Sequence, residues 1–105
     1  MSKHFLIVDN DEGRSETLAQ MLEADGHRAT TTWSGLEALR LLEGASVDMV
    51  LVRPYVADLY IGEFLAAIER LVLSANAMVV EDSEDCPSTF RRIKAILDSS
   101  SATTD

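Results

Sequence analysis

A chain of 105 residues has room for one domain and excludes a second with its own core. With 18 acidic against 9 basic side chains, its net charge of −9 repels nucleic-acid backbones and anionic lipid, and its 47% hydrophobic content excludes a disordered chain. The single cysteine, Cys86, excludes an internal disulfide, and no apolar run has the length of a membrane span, so the expected address is the cytoplasm.

The run "HFLIV" (4 to 8) is short and continuously apolar, the pattern of a strand buried on both faces, and "DNDEG" ends it. A helix follows, with Leu18, Met21 and Leu22 at helical spacing and Gly26 as a stop in the left-handed cap position. "HRATTTW" (27 to 33) is β-branched and reads as a strand with Ala29, Thr31 and Trp33 on one side. "SGLEALRLLEG" opens with the capping box Ser34 to Glu37, buries a Leu36, Leu39 and Leu42 stripe, and ends at Gly44.

"DMVLV" is a third strand, and it delivers Arg53 to a strand end. Beyond the loop "RPYVADLY", the residues Ile61, Phe64, Leu65, Ile68, Leu71 and Val72 keep a 3.6-residue period. "AMVVE" (77 to 81) is a fourth strand, and "PSTFRRIKAIL" a last helix buried through Phe90, Ile93, Ile96 and Leu97. Residues 1 to 98 form the expected domain, and 99 to 105 a flexible tail or the stub of a linker.

Strands alternating with helices imply an α/β fold, a flavodoxin-like three-layer parallel sheet with right-handed crossovers. Ligands of such sheets gather outside the carboxyl ends of the strands. Those ends carry Asp9, Asn10, Asp11 and Glu12, then Arg53, then Glu81 and Asp82.

The stretch "FLIVDNDEGRSETLAQMLEADGHRATTTWSGLEALRLLEGASVDMVLV" resembles the receiver domain of bacterial two-component response regulators, and the resemblance is weaker in the second half of the chain. It implies that Asp9 matches the first of two acids that help hold Mg²⁺, that Asn10 replaces the second, and that Arg53 stands where the phosphoacceptor aspartate belongs. It further implies that Glu81 ends the fourth strand where the family has Ser or Thr, and that Cys86 before Pro87 stands where the family has a lysine before a cis-proline. Arginine has donors and no acceptor, so it neither attacks phosphorus nor ligates Mg²⁺.

From Glu81 to Asp98 the chain is too short for a βαβ unit of about 30 residues. One helix and one strand of the family pattern are therefore expected to be deleted, leaving four strands in the order 2-1-3-4 with four helices. The resemblance, with two of its functional positions changed, then implies a pseudo-receiver: a non-enzymatic protein-interaction module in a two-component-type pathway or phosphorelay, expected to hold no metal or cofactor, while the net charge of −9 disfavours a nucleic-acid or membrane partner. The uncovered fourth-strand edge implies a homodimer or a covering partner.

Alternatives remain at several residues. Arg53 is either a counterion for Asp9, Asp11 and Glu12 or a solvated cation. Asp11 and Glu12 suit the start of a helix as well as a weak cation site. Tyr55, Val56, Leu59 and Tyr60 are contact anchors or core filling, and Arg91, Arg92 and Lys94 are a basic contact face or solvated charge. Cys86 reads as an inert thiol, and His4 and His27 as structural. Two other functions compete: a receiver phosphorylated at Asp9 or Asp58, and a small phosphohydrolase of the haloacid-dehalogenase type using Asp9 and Asp11.

Overall fold

The computed structural model describes residues 2–44, 46–54, 61–71, 76–81 and 83–102. Four strands, β1 (His4–Val8), β2 (Arg28–Thr32), β3 (Met49–Val52) and β4 (Asn76–Val79), alternate with four helices, α1 (Glu12–Ala24), α2 (Gly35–Gly44), α3 (Ile61–Leu71) and α4 (Cys86–Ala102). All strand pairs are parallel, in the order β2-β1-β3-β4.

The alternation of side chains along β1 and β3 builds two cores. Phe5 and Ile7 point with Met49 and Leu51 into a layer closed by Leu18 and Leu22 of α1 and Ile93 of α4. Leu6 and Val8 point with Val50 and Val52 the other way, against Ala38 and Leu42 of α2 and Phe64 of α3. Both central strands are thus covered on both faces, which is why their sequences read as unbroken apolar runs.

Local signals set the helix ends. Asp11 caps α1 by accepting the Arg14 N–H, and Gly26 takes φ +91° past its end while its N–H reaches the Glu23 carbonyl. Ser34 Oγ accepts the Glu37 N–H at 3.1 Å to start α2, and Asp85 Oδ1 accepts the Ser88 N–H at 2.8 Å to start α4. His4 ties β1 to the Ser46 carbonyl and the Thr30 hydroxyl. His27 accepts the Lys3 N–H.

Several expectations are corrected. Leu36 of the expected buried stripe faces solvent, and Ala38 and Leu42 do the packing; Trp33, the last residue of the expected strand, lies just past β2 and is exposed. Ile96 is also largely exposed. β4 ends at Val79 rather than residue 81, since the chain turns there through a Glu84 N–H to Glu81 carbonyl bond. α4 runs to Ala102, so its helix takes in residues 99 to 102 of the expected tail, and residues 103 to 105 lie outside the described residues.

The edge of β4 has its own device. The Val80 N–H bonds the Val52 carbonyl, so the alternating backbone groups of Val79 face away from β3, and there the Val79 carbonyl accepts a 3.0 Å bond from Arg92 of α4. Arg92 also lies 3.4 Å from the Glu84 carboxylate. Lys94 pairs with Asp25 at 3.1 Å, joining α4 to the end of α1.

Candidate functional site

The sheet brings Asp9 and Arg53 side by side. Asp9 follows β1, its N–H on the Thr32 carbonyl at 3.0 Å, and Arg53 follows β3, its N–H on the Val8 carbonyl at 3.2 Å. Both are buried, at 5% and 4% exposure. The crevice beneath them is walled by Ile7, Val8, Leu18, Leu51, Val52 and Val80, an apolar lining that strengthens any charge pair within it.

Asp9 is held by two guanidinium groups. Arg14, in the first turn of α1, forks onto it with Nε to Oδ2 and Nη2 to Oδ1, both at 2.7 Å. Arg53 donates from Nε to Oδ2 at 3.3 Å, and the Asp11 N–H bonds Oδ1 at 3.0 Å. Burial raises the Asp9 carboxyl pKa, but the hydrogen bonds from Arg14 and Asp11 and the charges of Arg14 and Arg53 outweigh it, leaving the group below the ordinary carboxylate value.

The rest of the Arg53 guanidinium turns to the crossover between β4 and α4. Its Nη1 donates to the backbone carbonyls of Glu81 and Glu84, the latter at 3.2 Å. One buried cation therefore ties β1, β3 and the crossover together.

The other predicted site residues are scattered. Asn10, Asp11 and Glu12 are exposed, and Asp11 is spent on the helix cap, so Arg53 pairs with Asp9 and with neither of the other two acids. Glu81 supplies its carbonyl, with the side chain at the surface. Cys86 is buried as the first residue of α4, with Sγ donating to the Arg14 carbonyl at 3.4 Å; burial pushes its thiol pKa up, so it stays protonated. Pro87 follows it inside the first helical turn without a cis bond.

Arg91 bonds Ser88 on the outer side of α4, whereas Arg92 and Lys94 serve the contacts with β4 and α1. Tyr55, Val56, Asp58, Leu59 and Tyr60 lie outside the described residues. Arg14 was not anticipated: its place five positions after Asp9 becomes meaningful only once the Asp11 cap turns the first helical turn back over the strand end.

A hard divalent cation needs several oxygen ligands. Here both Asp9 oxygens face N–H donors, the neighbouring position is Asn10, and Arg53 fills the space between the strands. Among the described residues no group of three His, Cys, Asp or Glu side chains is arranged to hold a metal. The donor set does not fit the Mg²⁺ that the resemblance implies.

No protein-family model matches the chain. The polar-differentiation response regulator DivK of Brucella ovis is 29% identical over 92 residues, covering 81% of this chain and 75% of that protein. The transcriptional regulatory protein GlrR of Escherichia coli is 40% identical over 48 residues, 46% of this chain but only 11% of that regulator. A CheY-like receiver domain protein from Methanospirillum hungatei superposes with a TM-score of 0.78 at 20% identity, over 98% of this chain and 99% of that one. The receiver domain of the hybrid histidine kinase CckA gives 0.77 at 17% identity, over 88% and 96%.

The chain has the receiver-domain fold. Within it, the β2-β1-β3-β4 order and the four helices agree with the shortened sheet expected from chain length. The receiver fold is here completed by α4, which crosses from β4 directly to the α1 side of the sheet. Among the described residues no helix is long and apolar enough to cross a membrane.

Proposed function

We propose that this receiver fold works without phosphorylation, as a pseudo-receiver that binds other proteins in a two-component-type pathway. The observation that carries the reading is the buried Arg53 guanidinium on Asp9, at the strand end where a receiver presents its phosphoacceptor carboxylate. Arg14 supports it from the other side, because a carboxylate forked by one arginine and bonded by a second offers no free oxygen to a phosphoryl donor. The same engagement argues against Asp9 as nucleophile of a phosphohydrolase, and Asp11 is occupied as a cap.

Incubation with Mg²⁺ and acetyl phosphate is expected to leave the intact mass unchanged and release no phosphate above background. Beryllofluoride is expected to leave the amide spectrum unmoved. Stoichiometric mass gain would overturn the reading, and turnover of the phosphoryl donor would favour the hydrolase.

Self-association belongs to the same proposal. The alternation that turns Val79 outward also turns Ala77 outward, and Ala77 is exposed, so β4 offers part of an edge to a second copy while Arg92 covers the rest. Light scattering at micromolar concentration is expected to give the mass of a dimer. A strictly monomeric mass would remove the homodimer and leave the edge to a different partner.

A further inference from the structure

The chain's single tryptophan is spent on the surface. Trp33 is 66% exposed and Leu36, three positions on, is 54% exposed. Trp33 precedes the Ser34 cap, where an apolar residue commonly folds back on the fourth helical position; here that position, Ala38, is fully buried and the indole is left outside.

The exposure is built in by rigid local bonding. The Ser34 N–H donates to Thr32 Oγ1 at 3.2 Å, that hydroxyl donates to Glu37 Oε1, and the Glu37 N–H returns to Ser34 Oγ at 3.1 Å. Thr32 itself is buried. The backbone of residues 32–37 is thereby tied to its own side chains, and it carries Trp33 and Leu36 with their side chains exposed.

The surroundings are acidic. The Asp9 N–H to Thr32 carbonyl bond sets the loops after β1 and β2 side by side, which places exposed Asp11 and Glu12 at the same end of the sheet as Trp33, Leu36 and Glu37. Arg14, the basic residue of that α1 turn, is turned onto Asp9, and exposed Arg40 lies one turn further along α2. An exposed indole and leucine at an end of the sheet that also exposes carboxylates complement a helix that carries apolar side chains between lysines or arginines.

We propose that Trp33 and Leu36, with Asp11, Glu12 and Glu37 exposed at the same end of the sheet, form a docking surface for a cationic amphipathic helix of a partner protein. This deepens the protein-binding reading above and rests on it. The net charge of −9 sets the sign of the partner and disfavours an anionic lipid surface as the occupant.

The probe is a designed Leu/Lys amphipathic helical peptide, titrated into the full chain and followed by Trp33 emission and amide spectra, with a Leu/Glu peptide of the same pattern as control. The expected result is a saturable blue shift, weakened by salt, with amide changes centred on residues 10–12 and 33–40 and no response to the Leu/Glu peptide. Leu36→Ser, and Trp33→Ser read by amide shifts, should each weaken binding roughly tenfold or more, while Ile96→Ser, at an exposed apolar site elsewhere, should leave it unchanged.

Amide changes scattered over the whole acidic surface, or binding that survives both Trp33→Ser and Leu36→Ser, would overturn the proposal. So would a blue shift that grows with protein concentration alone, which assigns the face to a second copy, or one produced by anionic vesicles, which assigns it to a membrane. Unchanged mass with acetyl phosphate together with absent peptide binding would remove this surface and keep the phosphorylation-independent reading; mass gain with peptide binding intact would remove that reading and leave the surface.

Discussion

Replacing Arg53 by aspartate is expected to weaken the fold without creating a phosphorylation site. The substitution removes the cation bonded to Asp9, sets a second buried carboxylate beside the first, and leaves the Glu81 and Glu84 carbonyls without their donor. Breaking a buried pair from one side costs about 3–5 kcal/mol. In a domain of this size that lowers the melting temperature by roughly ten degrees or more. Arg14 still forks Asp9 and Asn10 still lacks a charge, so acetyl phosphate with Mg²⁺ should not label the variant. Urea denaturation and intact mass check both halves; a stable variant that gains the mass of a phosphoryl group would contradict them.

The second large effect is expected at Asp9, where charge and pH act together. Asp9→Asn keeps the shape of the side chain and removes its charge, leaving the guanidinium groups of Arg14 and Arg53 facing a neutral amide. At neutral pH the cost should be about 3 kcal/mol, in the range for hydrogen bonds to charged groups. The Asp9 carboxyl lies below its unfolded value, so its stabilisation is complete above the unfolded pKa near 4 and fades as pH falls through the lower folded value. The stability gap between wild type and Asp9→Asn should therefore be constant from pH 7 to about 5 and close below about pH 4. Asp25 and Asp85, which are also lowered, keep the variant itself acid-sensitive, so it is the difference between the two curves that isolates Asp9. A gap unchanged at low pH would refute the pairing.

The layers were legible because the sequence states them locally, and the strand order because the receiver resemblance implies it. "HFLIV" and "MVLV" are apolar at every position, as strands covered on two faces require, and Gly26 marks a real left-handed stop. The four-strand sheet was legible from the short stretch between Glu81 and Asp98 set against the receiver pattern. The site was less so: Arg53 could be placed at its strand end by pattern, but its carbonyl partners depend on a crossover whose path periodicity does not encode. Arg14 reads as an ordinary surface residue until the fold turns it inward. Leu36 shows the opposite failure, since a leucine in phase with Leu39 and Leu42 reads as core although Gly35 and Ala38 are the buried residues of its turn.

The two acceptors that Arg53 finds in the crossover make one side chain answer for three parts of the chain. The short connection from β4 to α4 brings the Glu81 and Glu84 carbonyls to the end of β3, and the arginine is what satisfies them there. Lengthening the connection alone would leave the guanidinium short of acceptors, and replacing the arginine alone would leave the carbonyls short of a donor. The two are coupled, so the chain tolerates change at its surface more readily than at this interior cation.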